Sequence, residues 1–527
     1  MPEYLSPGVY VEEIEVGTKP IEGVATSNLG MAGPTERGPS EVRLITSWLE
    51  FQRLYGGVAG TAATSHMPHA VKGYFDNGGR RCFVARVVSL DGANPARTAT
   101  AALAPLMLNA LGPGASGINI LVAVTDPTNR DPATSFRIVL AYYSTLPDTV
   151  AAGTFVDPSA AGAQADPNFR RPDLLEVYDN LSFDPENSAY VLRALRGSNL
   201  AYGVWSAAAA RPANAGFAQF QNGQNGAALT SLDYEGREEG PVARNGVDVS
   251  YSTGLLGLAN IDEVTLLAAP DEHDFGTNVR DALLNQCERL RDRFAILSID
   301  RDQRNVTIII NDRPTLYGAV YWPWIYVSHP NGRDRVLVPP VGHVAGIFAR
   351  TDIERGVHKP PANAIVVGTL DLEFAVSRGM QDMLNPRGVN VIRDFRSDRR
   401  GIRLWGARTM SDDPMWKYVN VRRLFIFLEE SIDEGTQWVV FEPNSEPLWD
   451  RVRRSIESFL ITVWRNGALM GTKPEHAFYV KCDRSTMTQD DIDNGRLICY
   501  IGVSPVKPAE FVIFRIHQWA LGAKTAV

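Results

Sequence analysis

A length of 527 residues is roughly three to four times that of a typical domain, so the chain should contain several hydrophobic cores. Hydrophobic residues make up 44% of the chain and charged residues 21%, which excludes wholesale disorder, a collagen pattern and a coiled-coil rod. Lysine and arginine number 52 against 60 acidic residues. The resulting net charge of −8 argues against a general nucleic-acid binder or membrane binder.

The four cysteines, at positions 82, 287, 482 and 499, show no CxxC motif and no regular spacing. This argues against a disulfide framework or a zinc ribbon and fits synthesis in a reducing compartment. The first residues, MPEYLSPGVYVEEIEVG, lack the basic and apolar regions of a signal peptide, and no apolar run approaches the ~18 residues of a membrane span. We therefore expect cytoplasmic assembly, without a signal peptide and without direct membrane insertion.

The start of the chain contains an isolated strand pattern. Residues 9–14, VYVEEI, favour a strand between Pro7-Gly8 and Gly17, and no hairpin partner is nearby. A compact mixed segment follows over residues 25–90. Within it, WLEFQRLYGG predicts a short helix ended by glycine, and CFVARVV predicts a buried strand.

Residues 91–240 differ in composition from the rest of the chain. Stretches rich in Ala, Gly, Pro and Asn, such as AAGTFVDPSAAGAQADPNF, separate short apolar runs. This predicts a loop-rich, β-rich insert. Two runs, INILVAV and FRIVLAYY, have the length and β-branched content of strands that could pair with each other.

The pattern then becomes α/β over residues 241–385. VTLLAAP predicts a strand, NVRDALLNQCERLRDR a helix, FAILSID a strand and AVYWPWIYV a further strand. Strands that alternate with helices are typical of a parallel sheet. From about residue 386 to 508 we expect an α+β domain, in which VNVIRDF, RRLFIFLEE and WVVFEP are strands that lead into a helix, followed by AFYVKCD and RLICYIGVSP.

The helix near 447–465 has signals at both ends. Ser445 can cap it, Pro447 favours its first turn, and Asn466-Gly467 predicts its end. One face is apolar at helical spacing and another is basic. The apolar residues are Leu448, Val452, Ile456, Phe459, Leu460 and Val463, and the basic ones are Arg451, Arg453, Arg454 and Arg465.

The sequence offers no strong motif for catalysis or cofactor binding. Gly112, Gly114 and Gly117 spell GxGxxG, but they precede the predicted strand INILVAV instead of following a strand and opening a helix, as a phosphate-binding turn requires. Patterns for a P-loop, a zinc protease, an EF-hand and a nucleophile elbow are missing from the sequence. We expect no catalytic residue and no cofactor.

Two clusters of histidine or acidic residues have the residue types of metal ligands but not their spacing. His66 and His69 lie in a Pro-flanked segment that we expect to be a loop, without an acid at metal-ligand spacing. Asp490, Asp491 and Asp493 do not have calcium-loop spacing and predict a capped turn or short helix. We expect no metal site.

The most distinctive segment, VPPVGHVAGIFARTDIERGVHKPPAN at 338–363, resembles the signature of contractile-tail sheath proteins from phages and phage-tail-like injection systems. The start, YLSPGVYVEEIEVGTKPIEGVATSNLGMAGPTERGP, is similar to the same family. So is the end, where TMTQDDIDN precedes GRLICYIGVSPVKPAEFVIFRI. These segments frame almost the whole chain, whereas residues 91–240 carry no resemblance.

The resemblance implies a structural subunit that polymerises helically around an inner tube and contracts to drive that tube through a target envelope. It implies an α/β middle domain of subtilisin-like fold without catalysis. The implied partners are further copies of the chain, an inner tube protein, and baseplate and terminal cap proteins, with no nucleic acid. The chain would be part of a phage tail or a tail-like particle released by lysis.

The two chain ends support this interpretation. EFVIFRIHQ is apolar on both faces and has nothing downstream to pair with, which would leave an exposed edge. We expect both ends to add strands to sheets of neighbouring subunits, although terminal strands that close the chain's own sheet remain the alternative. The predicted arm residues are Val9, Tyr10, Val11, Glu12, Glu13 and Ile14, and Phe511, Val512, Ile513, Phe514, Arg515 and Ile516.

The predicted domain order combines these observations. The C-terminal domain should face the inner tube, with Arg451, Arg453, Arg454 and Arg465 as candidate contacts, and the insert should point outward. The expected segments are an N-terminal arm (1–24), the first part of the core (25–90), the insert (91–240), the α/β domain (241–385), the C-terminal α+β domain (386–508) and a C-terminal strand arm (509–527).

Two other classes of function remain open from the sequence. An α/β hydrolase or protease would use the middle domain and would need a nucleophilic serine in a strained turn. A non-contractile tail or capsid protein would also be β-rich and self-associating, but the 338–363 segment argues against it.

Overall fold

The computed structural model describes residues 20–58, 65–90, 94–309, 313–329, 334–511 and 513. The chain forms two compact units. The larger unit contains Gly23–Val357 and Pro361–Ser431. The smaller unit contains His358–Pro360 and the described residues of Met1–Glu22 and Ile432–Val527.

The described residues form strands from several sheets and helices of very different length. The strands are β1 (Leu29–Gly33), β2 (Arg43–Ile45), β3 (Cys82–Arg86), β4 (Thr98–Leu103), β5 (Leu106–Pro113), β6 (Ile120–Thr125), β7 (Ser135–Tyr142), β8 (Leu174–Ser182), β9 (Ala201–Trp205), β10 (Ala215–Gln219), β11 (Glu238–Arg244), β12 (Val247–Ser252), β13 (Leu266–Ala268), β14 (Phe294–Ser298), β15 (Gly318–Trp322), β16 (Ile325–Ser328), β17 (Arg335–Val338), β18 (Ala364–Ile365), β19 (Thr369–Leu372), β20 (Val389–Phe395), β21 (Gly401–Leu404), β22 (Phe478–Lys481) and β23 (Tyr500–Val503). The helices are α1 (Trp48–Tyr55), α2 (Met67–Asp76), α3 (Asp148–Ala151), α4 (Val191–Ala194), α5 (Ser231–Glu235), α6 (Gly254–Ala259), α7 (Asn278–Leu290), α8 (Val341–Arg355), α9 (Arg378–Leu384), α10 (Val419–Thr436), α11 (Glu446–Arg465), α12 (Pro474–Ala477) and α13 (Gln489–Asp493).

A nine-stranded sheet of order β18-β21-β20-β15-β14-β13-β1-β3-β2 organises the larger unit. The six strands from β20 to β3 run parallel, and the outer pairings are antiparallel. The predicted parallel sheet is therefore confirmed. Its members β1 and β3 come from residues 25–90, because crossover connections bring strands that are distant in sequence side by side.

Both faces of this sheet are covered by helices, as parallel strands require. Side chains that alternate along β13 to β15 form one apolar core with α2 and α8 and a second with α6 and α7. The predicted helix WLEFQRLYGG is confirmed as α1, with Ser47 as its N-cap and Gly56 directly after it. The predicted strands CFVARVV, VTLLAAP and FAILSID are confirmed as β3, β13 and β14.

Residues 94–227 build two antiparallel sheets of their own around a separate apolar cluster. One sheet has the order β10-β6-β7-β8 and the other β4-β5-β9. The predicted pairing of INILVAV with FRIVLAYY is confirmed by the antiparallel register Ile120↔Tyr142. The two ends of this segment are adjacent: Ala227 N donates to Asn94 O at 2.9 Å. The chain therefore leaves the core and returns to it at neighbouring points.

A short polar region fixes this segment to the core. The Tyr142 hydroxyl donates to the Glu36 carboxylate, and the Arg37 guanidinium lies 4.1 Å from the centre of the Tyr142 ring. The GxGxxG glycines lie beside it. Gly112 is near the end of β5, Gly114 precedes a short 3-10 helix and Gly117 lies in that helix, which corrects the expectation that the motif does not follow a strand. A Cβ atom at Gly112 would lie 2.2 Å from Gly38 O, so this motif allows close packing of two backbones.

Two predicted strands are wrong, and a third is divided into two strands. RRLFIFLEE lies in α10, which buries Val421, Leu424 and Leu428, because a short apolar run fits a buried helix as well as a strand. WVVFEP begins as a 3-10 turn at Gln437–Val439 and contains no strand. AVYWPWIYV divides at Pro323 into β15 and β16, which belong to different sheets because proline cannot donate to a ladder.

The expected boundary near residue 386 also differs from the division between the two units. β20 and β21 lie in the nine-stranded sheet of the larger unit, and the units separate after Ser431, within α10. In the smaller unit, β22 and β23 pair with each other and α11 packs against β22. Among the described residues, no helix is both long and apolar enough to cross a membrane.

Candidate assembly surfaces

The signature segment at 338–363 contains helix α8, which is buried along most of its length. Two of its glycines face α2: a Cβ atom would lie 2.1 Å from Ala70 O at Gly342, and 2.5 Å from Tyr74 O at Gly346. No side chain fits at either distance, so the glycines let the two helix backbones approach closely. The distinctive sequence thus specifies helix packing in the core.

A buried ion pair joins α8 to α10. Arg423 donates to both carboxylate oxygens of Asp352, and one of these bonds is 2.9 Å long. Thr26 completes the cluster, because its carbonyl accepts from Arg423 at 2.7 Å and its hydroxyl donates to Asp352 at 2.8 Å. The two charged side chains are 4% and 3% exposed. Sequence reasoning missed this cluster because the partners lie 71 residues apart.

Helix α11 confirms the prediction for 447–465. It begins after Ser445, has Pro447 in its first turn and ends at Arg465 before Asn466. Ser445 occupies the N-cap position, although its side chain accepts no capping hydrogen bond. The predicted apolar face is buried, with Trp449 and Ser455 added to it.

The four arginines of α11 differ in their availability. Arg451, Arg454 and Arg465 are exposed, whereas Arg453 is half-buried. Arg451 pairs with Glu442 at 3.2 Å. Arg454 donates to the Asp450 carbonyl at 3.1 Å, and within the described ranges the Arg465 side chain has no hydrogen bond or ion pair.

Arg453 is the most strongly paired of the four. It lies 3.0 Å from Asp450 and 3.2 Å from Glu457, one turn away on either side. The hydrogen bond to Asp450 raises the pKa of Arg453 above its usual value. The basic face therefore carries its own counter-charges, and Arg454 and Arg465 are its least neutralised positions.

The two-stranded sheet of β22 and β23 offers unpaired backbone. The strands pair from Phe478↔Val503 to Lys481↔Tyr500. In the part of the chain that the structure describes, no further strand pairs with β22 or with the Tyr500–Val503 segment of β23. Tyr479, Tyr500 and Ile501 are exposed on them. An open edge with apolar side chains is a place where another strand can add.

The C-terminal arm residues that the structure describes are Phe511 and Ile513. They are 72% and 78% exposed, which is unusual for large apolar side chains. The other predicted arm residues, Val512, Phe514, Arg515 and Ile516, lie outside the described residues, as do Val9, Tyr10, Val11, Glu12, Glu13 and Ile14. Their pairing remains a prediction.

A polar cluster lies at the carboxyl ends of the parallel strands, where α/β enzymes place their sites. Asp271 follows β13 and accepts from Ser65 Oγ at 3.1 Å and from His66 N at 2.7 Å. The single hydrogen of the Ser65 hydroxyl is shared between Asp271 and Pro34 O, and Ser65 Oγ accepts from Met67 N. The hydroxyl is thus bonded to an acid and backbone groups, and no imidazole is among these partners. Asp271 thereby holds the start of α2.

The predicted loop at His66 and His69 is wrong. His66 precedes α2 and His69 lies within it, because Pro68 occupies the first turn, where proline favours a helix. Burial lowers the pKa of both imidazoles to about 4. Within the described ranges, no group of three or more His, Cys, Asp or Glu side chains could hold a metal ion. The short helix predicted around Asp490 is confirmed as α13.

Glu272, which follows Asp271 in the chain, is a buried acid whose protonation can be tested by the pH dependence of stability. Its Oε1 accepts from Ser298 N at 2.9 Å, its Oε2 is buried without a partner, and burial raises its pKa to about 7. At pH values between the ordinary pKa of a glutamate and about 7, Glu272 is protonated in the folded state and ionised in the unfolded chain. The wild type therefore loses stability as the pH rises through this range. From pH 5 to pH 8, the difference in unfolding free energy between Glu272→Gln and the wild type should grow by about 2 to 4 kcal/mol in favour of the variant. Urea unfolding across this range measures the difference, and a constant difference would contradict the prediction.

Comparison with known proteins agrees with these features. The phage tail sheath protein central domain matches residues 251–410, and the phage tail sheath C-terminal domain matches residues 411–518. The two models adjoin and together match about half of the chain. The two models meet between residues 410 and 411. Both this junction and the boundary expected near residue 386 lie before Ser431, after which the two compact units separate.

Two curated relatives match a shorter part of the chain. A putative prophage major tail sheath protein from Pseudomonas aeruginosa (strain UCBPP-PA14) is 27% identical over 190 residues, which is 34% of this chain and 47% of the relative. The tail sheath protein of Burkholderia phage BcepMu is 32% identical over 146 residues, 26% of this chain and 30% of the relative. The chain thus matches less than half the length of these relatives.

Solved structures match nearly the whole chain and show the fold. The anti-feeding prophage baseplate contains a chain with 24% identity and a TM-score of 0.55, covering 98% of this chain and 99% of that one. The contracted sheath complex of the PVC extracellular contractile injection system gives 21% identity and a TM-score of 0.57, covering 98% and 99%. A sheath tail protein from Listeria innocua gives 12% identity and 0.57, covering 92% and 96%. With both of its matched domains from one family and a fold of that family, the chain belongs to the phage tail sheath proteins.

Proposed function

We propose that this protein is a sheath subunit that polymerises helically around an inner tube and contracts to drive the tube through a target envelope. The observation that carries the proposal is the open two-stranded sheet β22–β23, in a chain that continues into the exposed apolar residues Phe511 and Ile513. The smaller unit thus has both a sheet with free strand edges and an apolar extension that could add to such an edge in another subunit. These are the two parts that a strand-exchange contact needs.

The arms would be the donors and the β22–β23 sheet the acceptor. Residues 9–14 and 511–516 of neighbouring subunits would add strands to its free edges. Each added strand would supply about 4 to 6 backbone hydrogen bonds, at a net ~1 kcal/mol apiece. Links of this size are modest singly, but each subunit gives and receives several of them, so the polymer is held strongly.

Contraction would use the joints beside the arms. Residues 15–23 contain Gly17, Pro20 and Gly23, and residues 503–508 contain Pro505 and Pro508; both segments would supply hinges between the arms and the folded units. Because Val503 lies in β23 and Val506 N donates to Ala468 O, the second hinge would begin after Val506. Folded bodies could then exchange one set of contacts for another while the strand links persist. This mechanism needs neither a bound nucleotide nor a catalytic residue.

The domains would have separate tasks in the particle. The α/β domain would be a non-catalytic scaffold of subtilisin-like fold, and the C-terminal part would face the inner tube. The segment 91–240 would project outward. Baseplate and terminal cap proteins would hold the two ends of the sheath, in a phage tail or a tail-like particle released by lysis.

Replacing residues 95–226 by a short Gly-Ser linker should preserve assembly. Asn94 and Ala227 are joined by a backbone hydrogen bond, so a short linker spans the gap, and the removed sheets have their own apolar core. We expect a folded protein that forms helical sheaths of normal length and smaller diameter. Electron microscopy measures both dimensions. A folded variant that forms no polymer would show that this segment carries assembly contacts.

Reversing the least neutralised charges of α11 should weaken tube binding. Arg454→Glu with Arg465→Glu places acids on the proposed tube-facing surface, and exposed pairs of ~0.2 to 1 kcal/mol each make the defect salt-dependent. Counting tube-filled sheaths at low and high salt measures it. Arg170→Glu with Arg171→Glu is the matched control, because both arginines are exposed on the proposed outer segment. Equal yields from the two variants at every salt concentration would reject the tube assignment.

The experiment that tests the proposed function is coexpression with the tube and baseplate proteins of the same organism. Electron micrographs should show striated sheaths of two lengths, with the tube emerging from the shorter form. Sheaths of a single length that never expose a tube would favour the non-contractile alternative.

A further inference from the structure

Two of the cysteines lie side by side in the smaller unit, although their sequence positions are far apart. The last ladder pair of β22 and β23 is Lys481↔Tyr500, so the next pair in the same register is Cys482 opposite Cys499. The spacing of the four cysteines gave no sign of this pair, because the register and not the sequence separation brings the two residues together.

The position in the ladder favours a covalent link. Ser504 N donates to Ala477 O at 2.9 Å, which makes Ala477 and Ser504 a hydrogen-bonded pair. Pairs of this kind alternate with non-hydrogen-bonded pairs, so the register, continued one step past Lys481↔Tyr500, places Cys482 and Cys499 at a position of the second kind. Cα atoms of such a pair lie about 4.5 Å apart, within the ~4.4 to 6.8 Å that a disulfide spans.

The two thiols are free, and each shifts the pKa of the other: the interaction lowers the pKa of Cys482 and raises the pKa of Cys499. Cys482 is 2% exposed and Cys499 is half-buried, so an external reagent reaches the Cys499 sulfur first. The hydrogen bond from Cys499 lowers the pKa of Cys482, and Arg453 acts in the same direction. Cys482 is thus the thiol more readily converted to a thiolate, which is the nucleophile in disulfide exchange.

The segment between the cysteines is already closed by hydrogen bonds. Thr486 Oγ1 donates to Ile498 O at 2.8 Å, which ties the two ends together next to the cysteines. Thr488 and Asp491 form a reciprocal capping box at the start of α13. A bond between the sulfurs therefore requires little rearrangement of the segment.

We propose that Cys482 and Cys499 form a redox-sensitive dithiol that a small-molecule disulfide, such as oxidised glutathione, converts to a cross-strand disulfide. The Cys499 sulfur, which the reagent reaches first, attacks one glutathione sulfur while the Cys482 thiolate accepts the Cys499 proton, which forms a mixed disulfide and releases one glutathione thiolate. The proton then moves from Cys482 to that glutathione thiolate. The Cys482 thiolate then attacks the Cys499 sulfur and displaces the second. Two cysteine thiols are oxidised, one glutathione disulfide is reduced, and the two thiol protons end on the two glutathione products.

The consequence is a clamp on the sheet that carries the open edges. The bond closes residues 483–498 into a loop and reduces the conformational freedom of the unfolded chain, so the oxidised protein should unfold at a higher temperature. The link would form when the protein moves from a reducing compartment to an oxidising one. This inference concerns the chain alone and holds whether or not the sheet accepts strands from neighbours.

The test uses the full-length protein, incubated with oxidised or with reduced glutathione, then denatured and alkylated. Peptide mapping after oxidation should find Cys482 linked to Cys499, with two of the four thiols alkylated and a mass loss of about 2 Da before alkylation. Dithiothreitol should restore all four thiols and the lower unfolding temperature. Cys82 and Cys287 are fully buried and serve as internal controls that stay reduced.

Cys499→Ser is the variant control. It should keep three alkylated thiols in both buffers, and its unfolding temperature should not respond to oxidised glutathione. Four alkylated thiols in the oxidised wild type would overturn the proposal. So would a glutathione adduct on Cys499 that persists without a link to Cys482, because it would show that the buried sulfur cannot reach its partner.

Discussion

Deleting residues 1–19 should yield a folded, soluble protein that forms no long sheaths. The deletion ends before Ile21, which is buried against Gly435, so the cores of both units stay intact. The lost residues 9–14 would be the strand that a neighbouring subunit receives, and their loss removes several backbone hydrogen bonds from every contact in the helix. Electron microscopy measures the loss of polymer, and thermal unfolding measures the integrity of the subunit.

The unfolding temperature separates the arm from the alternative of a strand in the chain's own sheet. An arm donated to a neighbour leaves the melting temperature of the monomer unchanged. A melting temperature that falls by many degrees, or sheaths of normal length, would contradict the arm. Val11→Pro in the full chain is a milder version, because proline removes one ladder donor and should shorten the sheaths.

Arg423→Met should destabilise the larger unit by about 3 to 5 kcal/mol. The substitution leaves the Asp352 carboxylate buried without its cation, and it removes the hydrogen bond to Thr26 O and the contact with Phe348. An uncompensated buried charge costs far more than a lost surface pair. Chemical denaturation gives the change in unfolding free energy.

Two further variants make this measurement specific. Arg451→Met carries the same substitution at an exposed pair with Glu442 and should cost at most about 1 kcal/mol. Asp352→Leu combined with Arg423→Met removes both charges and should recover much of the loss, giving a large coupling energy. Equal effects of Arg423→Met and Arg451→Met would contradict the importance of burial.

Local signals in the sequence predicted local structure well. Helix α11 carries a capping residue, a first-turn proline and a regular apolar face, and it lies within one residue of the predicted bounds. Alternating strands and helices predicted the parallel sheet, because the crossover connection fixes strand direction. RRLFIFLEE failed, because its apolar run is too short to separate a helix from a strand without its tertiary neighbours.

Long-range contacts could not be predicted in the same way. Asp352 and Arg423 meet only because α8 and α10 pack together, and Cys482 meets Cys499 only through the register of β22 and β23. The four arginines of α11 were correctly placed off the apolar face, but their acidic partners include Glu442, which lies before the helix. The most distinctive segment of the family resemblance contains α8. Close packing of its backbone against α2 requires Gly342 and Gly346.

The central claim, that the β22–β23 sheet receives strands from neighbouring subunits, is tested most directly by a cryo-electron microscopy map of the assembled sheath at side-chain resolution. The account predicts that residues 9–14 and 511–516 of other subunits lie along the free edges of β22 and β23, in backbone hydrogen-bonding register. Free edges in the polymer, or edges occupied only by the subunit's own arms, would contradict it.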